Sequence, residues 1–189
     1  MAGSTTRRVP RAYAPAPGRA PAGVRGGQYV ADPQVDDVVV FVIGMRINRL
    51  RRVRTWWPVF VGMPRMLREL AGSDRGLLGA HSLVGGRTLV TIQYWRSAEE
   101  LGAFARDVSL SHAPAWRAFN QDVAATGDVG IFHETYVVPA DRVESVYGNM
   151  TEFGLAAAFG SVERGRGKGR TTAHERLEST EPDYVDAST

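Results

Sequence analysis

The four histidines are the side chains in this sequence best suited to move protons near neutral pH or to hold a metal or haem iron. His81, His112 and His133 lie in the patterned part of the chain, and His174 lies in a polar trailing segment. No two are spaced as HxxxH, and no HExxH occurs. His133-Glu134 runs on into Thr-Tyr-Val-Val, which reads as strand and not as a helical zinc site. No metal centre is expected on that basis. Alternation along this strand puts His133 on one face with Val129, Ile131, Thr135 and Val137. Glu134 and Tyr136 then share the other face with Phe132 and Val138. These groups can supply a base and hydrogen-bond donors to a cavity, or serve as satisfied structural polar groups. Alternation alone leaves open which face meets the helices.

Other residues carry weaker signals. His112 stands near the start of a helical piece, where the dipole favours the neutral imidazole. It suits a base, an iron ligand or a plain helix surface. Arg46, Arg49, Arg51, Arg52 and Arg54 form a basic connector, read as solvated or as a dimer rim, with anion binding as the alternative. Trp56, Trp57, Trp95 and Trp116 offer core packing or a ring-stacking surface. GxGxxG, GxxxxGK[ST] and GxSxG are all absent, so familiar dehydrogenases, nucleotide hydrolases and serine hydrolases are not indicated. The chain has no cysteine. Disulfides, thiolate metal sites and cysteine nucleophiles are excluded.

The elements that must position these groups follow from hydrophobic period. Val38-Val39-Val40-Phe41-Val42-Ile43 is a continuous β-branched run ending at Gly44, which predicts a strand buried on both faces. Thr55 can cap a helix in which Trp56, Phe60, Met63, Leu67 and Leu70 recur at spacings of three and four. Pro58 fits its first turn, Pro64 should kink or split it, and Gly72 ends it. Leu77–Val84 and Thr88–Trp95 read as strands joined by a Gly85-Gly86 hairpin turn. Ser97 caps a second helix with Leu101, Phe104 and Val108 inward. Ser109-Leu110-Ser111 interrupts it, and a further piece carries Trp116, Phe119 and Val123 up to Gly127. Val129–Val138 is the last strand, stopped by Pro139.

The order β-α-β-β-α-β predicts an α+β, ferredoxin-like domain over residues 35–160, with both helices on one sheet face. The other face keeps apolar residues, either Val90/Ile92/Tyr94 or Leu89/Trp95. Covering it by a second copy of the chain removes that surface from water and can enclose a cavity, so a homodimer is expected.

Charge is placed unevenly. The net charge is +3 and the isoelectric point about 9.6. Residues 1–36 hold five Arg against two Asp, while 37–160 hold 13 Arg against 12 acids. A basic tail beside a balanced core does not match a folded nucleic-acid binder, so no nucleic-acid partner is expected. Residues 1–34, rich in Ala, Pro, Gly and Arg, and residues 161–189 are expected to be disordered tails. No run approaches the roughly 20 apolar residues of a membrane span, and the start has no secretory apolar region. A cytoplasmic protein without membrane partners is the expectation.

Several strings are specific. They are Gly44-Met45-Arg46-Ile47-Asn48, Trp56-Trp57-Pro58-Val59-Phe60, Met63-Pro64-Arg65-Met66-Leu67, His133-Glu134-Thr135-Tyr136, Tyr147-Gly148-Asn149-Met150 and Phe153-Gly154-Leu155. Over about residues 36–158 the chain resembles a monooxygenase-like family of bacteria and fungi, one fungal member of which is linked to fumagillin biosynthesis. That family is similar in plan to antibiotic-biosynthesis monooxygenases and other dimeric α+β barrels. The resemblance implies a small dimeric barrel with an apolar pocket in each subunit. Related barrels include oxygenases without cofactor, in which the substrate anion itself reacts with O₂. Others bind haem, including haem-degrading enzymes and aldoxime dehydratases.

Matching motifs and local chemistry nominate His133, Glu134, Tyr136, His112 and Asn48 as catalytic candidates. Trp57, Trp95, Trp116 and Phe60 are nominated to line a substrate pocket. Three readings follow. The leading one is a cofactor-independent monooxygenase of secondary metabolism acting on a small apolar or aromatic metabolite. In it His133 or His112 takes a proton, and Tyr136 and Asn48 stabilise the oxyanion. The second is a haem protein with His112 or His133 as axial ligand. The third is a non-catalytic ligand-binding or assembly protein of the same fold.

Overall fold

A computed structural model describes residues 20–107 and 124–164, which fall into two units. The central unit, Val35–Pro139, begins with strand β2 (Asp37–Ile47) and helix α1 (Val53–Ala71). The hairpin β3 (Leu77–Gly85) and β4 (Thr88–Trp95), helix α2 (Ala98–Arg106) and strand β5 (Val129–Pro139) follow. The sheet order is β3-β4-β2-β5, antiparallel throughout. The first strand of the β-α-β-β-α-β series thus lies between the third and fourth, which is the ferredoxin-like arrangement of an α+β fold.

The helices lie on one face. Val39, Leu70, Trp95, Leu101 and Phe104 form one core cluster, with Phe41, Met66, Leu77 and Ala98 against it. Met45, Leu89 and Val129 form a second, joined by Ile47, Trp56, Val59, Phe60, Met63 and Ile131. The helix-bearing face of the sheet therefore carries Val39, Phe41 and Met45 from β2, and Leu89 and Trp95 from β4. The opposite face carries Val90, Ile92 and Tyr94, which settles the alternative left by the sequence.

Local details differ from expectation in instructive ways. Helix α1 starts at Val53, Arg52 makes no side-chain cap, and the helix runs through both Pro58 and Pro64. Before Pro64 its apolar side packs into one core cluster, and after Pro64 into the other, so the sheet holds both halves. The hairpin turn is Gly86-Arg87, one residue later than expected. Gly85 still pairs with Thr88, and Gly86 supplies the positive φ of +59°. Ser97 caps α2 as expected, its Oγ accepting from the Glu100 N–H at 3.2 Å. Val108, the Ser109–Ser111 break, Phe119 and Val123 lie outside the described residues.

The second unit combines the flanks, Met1–Gln34 and Ala140–Thr189. Its described part holds β1 (Arg25–Ala31), β6 (Tyr147–Met150), a short helix α3 (Gly154–Phe159) and β7 (Ser161–Glu163). The strands form an antiparallel sheet in the order β6-β1-β7. This corrects the reading of residues 1–34 and of the segment from 161 as tails throughout, and the reading of 140–160 as part of the ferredoxin-like unit. Tyr29 is 1% exposed, its ring stacked on Tyr147 at 5.2 Å, and Arg25 lies 4.7 Å over it. Burial pushes the Tyr29 phenol above its ordinary value, against the partial relief given by Arg25. Long-range pairing thus supplies the burial that a Gly- and Arg-rich segment cannot find locally.

Candidate functional site

Strand β5 sorts the candidates by face. Its register on β2 sets Ile43 opposite His133, Val42 opposite Glu134 and Val40 opposite Tyr136. His133 belongs to the helix-bearing face. It is exposed there, and its ring lies 5.8 Å from that of Phe41. Glu134 and Tyr136 stand on the reverse. The Tyr136 hydroxyl donates to Glu134 Oε2 at 2.6 Å. That hydrogen bond, with the carboxylate charge behind it, holds the phenol above its ordinary value. The imidazole and the phenol–carboxylate pair therefore project from opposite faces of the sheet.

The reverse face has a second titratable edge. Register carries one row from His81 through Ile92 and Val42 to Glu134, and the next from Gly79 through Tyr94 and Val40 to Tyr136. Polar groups thus flank an aliphatic centre. The His81 ring meets Tyr94 edge-on at 6.4 Å.

On the helix-bearing face a polar group stands among apolar ones. Gln93 is 1% exposed and sits between Ala80 and Phe41 in register. Its Oε1 accepts the Trp95 indole N–H at 3.0 Å. The indole can only donate, so this bond fixes the amide orientation. Among the described residues Gln93 Nε2 is then buried without a hydrogen-bond partner. Beside it, Thr91 is fully buried and its hydroxyl meets that of Ser82 at 2.9 Å. An unpaired buried donor costs about 1–3 kcal/mol, so one that persists calls for a reason. Sequence reading passed over Gln93. The available signal was its alternation with Leu89, Thr91 and Trp95, which puts it on their face.

The remaining candidates divide. Asn48 Nδ2 donates to the Gly127 carbonyl at 3.0 Å, and the Asn48 N–H donates to the Asp128 carbonyl at 2.8 Å. Asn48 thereby fastens the end of β2 to the loop before β5. Arg49 does the same through Asp128 Oδ1 at 2.8 Å. Trp95 is wholly buried against Phe104, with ring centroids 5.4 Å apart, so it is core and not a pocket wall. Phe60, on α1, is half-buried, stacked on the exposed Trp57 at 5.9 Å and edge-on to Trp56 at 6.1 Å. His112 and Trp116 lie outside the described residues. Among the described residues, no three of His, Asp and Glu are grouped to hold a metal ion. None of the described helices is long and apolar enough to cross a membrane.

This fold and these strings define a class. Residues 38–155 match the Monooxygenase af470-like family, and the chain belongs to that family. Monooxygenase af470 of Aspergillus fumigatus is 28% identical over 184 residues, covering 87% of this chain and 58% of the fungal protein. The chain thus spans less than two-thirds of that relative. Among solved structures, SnoaB, a cofactor-independent oxygenase from Streptomyces nogalater, is similar at 19% identity and a TM-score of 0.38. That match covers 54% of this chain and 92% of SnoaB. A Bacteroides thetaiotaomicron protein described as a possible oxidoreductase is similar at 11% identity and a TM-score of 0.38, over 55% of this chain and 99% of that one.

Proposed function

We propose that this member of a monooxygenase-like family is a cofactor-independent monooxygenase acting on a small apolar or aromatic metabolite of secondary metabolism. The observation that carries the reading is the chemistry of the helix-bearing face. It offers an imidazole, His133, beside an aromatic ring, and a buried amide donor, Gln93 Nε2, that no described residue engages. That pairing supports one substrate class. It is an aromatic or enolisable compound with a methylene acidified by a neighbouring carbonyl.

In this reading His133 accepts the methylene proton, and the charge moves to the carbonyl oxygen as an enolate. Gln93 Nε2 donates to that oxygen, the task first assigned to Tyr136 and Asn48. The enolate gives one electron to O₂, and recombination forms a C–O bond. The protonated hydroperoxide then loses water, so that CH₂ and O₂ become C=O and H₂O. All four electrons come from the substrate carbon, so the balance calls for no external reductant.

The opposite face then serves assembly. Its aliphatic centre, flanked by His81 on β3 and Glu134 with Tyr136 on β5, fits pairing with a second copy of the chain. Oxygen uptake with a panel of aromatic ketones and phenols, read together with ¹⁸O₂ incorporation, tests the reaction. Turnover without added flavin, haem or metal, lost in His133→Ala, is expected. Turnover that requires one of those additions, or is unchanged in His133→Ala, contradicts the reading.

A further inference from the structure

Helix α1 buries one side in the core, yet its outer side is not polar throughout. A helix advances about 100° per residue. Val53, Trp57, Val61 and Pro64 therefore form a second stripe beside the buried one. Val53 is 49% exposed, Trp57 51% and Val61 43%, and Leu50, just ahead of the helix, is 48% exposed. Arg68 falls on the same stripe, Arg54 and Arg65 flank it, and Arg51 and Arg52 precede it. All five guanidinium groups belong to exposed residues. Among the described residues none of the five takes part in an ion pair, whereas nearby Arg49 is committed to Asp128. The helix has no acid in its first turn, and its one acid, Glu69, projects well round from the stripe.

We infer that this stripe docks the protein on an anionic lipid surface. Leu50, Val53, Trp57 and Val61 would enter the boundary between headgroups and acyl chains, where tryptophan is favoured. The five arginines would pair with lipid phosphates, and their aliphatic stems would extend the apolar footprint. Charge complementarity alone would also suit nucleic acid. Two observations favour lipid. The exposed Leu and Val side chains have no use against bases, and one face of the Trp57 ring is already covered by Phe60 at 5.9 Å and 21°. The association is peripheral, since α1 is not apolar enough to span a bilayer. It stands apart from the proposed reaction, although an apolar metabolite would collect in the same layer.

The test is sedimentation of the full chain with vesicles of phosphatidylcholine alone and of phosphatidylcholine with phosphatidylglycerol. Partitioning at least about tenfold stronger onto the anionic vesicles, falling as salt is added, is expected. The triple variant Arg54→Glu/Arg65→Glu/Arg68→Glu should fall to the level seen with phosphatidylcholine, with an unchanged circular dichroism spectrum. A second readout needs no charge variant. Vesicles with brominated acyl chains should quench wild-type tryptophan emission, and quenching should be lost in Trp57→Phe. Equal partitioning onto both vesicles, absence of quenching, or tighter binding to a single-stranded oligonucleotide than to the anionic vesicles would each overturn the inference.

Discussion

His133 and Glu134 are adjacent in sequence, yet β5 turns the imidazole toward the helices and the carboxylate to the reverse of the sheet. The pair therefore divides the molecule's chemistry between its two faces. Substitutions on one face should leave the other's readout intact.

On the reverse face, the Tyr136 phenol is held above its ordinary value by its 2.6 Å bond to Glu134. The phenol donates this bond, so the bond is present below the ordinary phenol value of about 10 and is lost as pH rises through the raised folded value. Both groups are exposed in the single chain, so little of its folding stability should change. An ultraviolet titration of wild type minus Tyr136→Phe isolates this one phenol. Glu134→Gln should move its ionisation down toward the ordinary value, and no movement would mean that the bond does not persist in solution.

Gly44 is held to its identity by Phe132, its register partner on β5. A β-carbon at Gly44 would lie 2.5 and 2.6 Å from ring atoms of Phe132 and 2.8 Å from the Leu89 carbonyl oxygen. The ring can move, but the Leu89 backbone is fixed in the sheet. Gly44→Ala should cost about 1–3 kcal/mol by denaturant unfolding. Combining it with Phe132→Leu should recover only part of that loss.

The Arg49–Asp128 pair should respond asymmetrically. The Asp128 side chain is 6% exposed and that of Arg49 is 64% exposed. Arg49→Ala strands a buried carboxylate and should cost about 2–3 kcal/mol. Asp128→Asn leaves an arginine that water can solvate, and should cost about 1 kcal/mol. Thermal or denaturant unfolding of both variants checks the order.

Gln93→Met tests whether the orphan amide is kept for function. It removes an unpaired buried donor, and it also weakens the acceptor for Trp95. Stability should therefore change by less than about 1 kcal/mol. Oxygen uptake should fall by about a hundredfold, the scale of losing one oxyanion donor. A marked loss of stability with uptake unchanged would make Gln93 purely structural.

The order of strands and helices was legible because each element carries its own hydrophobic period, as in Trp56, Phe60 and Met63 on α1. The strands β1 and β7 were not legible. Tyr29 and Val30 acquire their burial from Tyr147 and Val162, far along the chain, and nothing in a run of Gly, Arg and Pro announces that pairing. Site chemistry was legible by residue type and less so by use. Asn48 looked like a donor for substrate, but its amide closes a loop on Gly127. Trp95 looked like a pocket wall, but the core takes all of it. Gln93 has the type of a surface residue, and only its alternation with Leu89 and Trp95 gives it away.

Oxygen consumption by metal-stripped, haem-free protein with an enolisable aromatic ketone, compared between wild type and His133→Ala, tests the central claim most directly. Wild type should consume O₂ and incorporate one ¹⁸O atom into product, and the variant should lose at least about a hundredfold in rate. Uptake that appears only after haem is added, together with a Soret band, or equal rates in the two proteins, would contradict it.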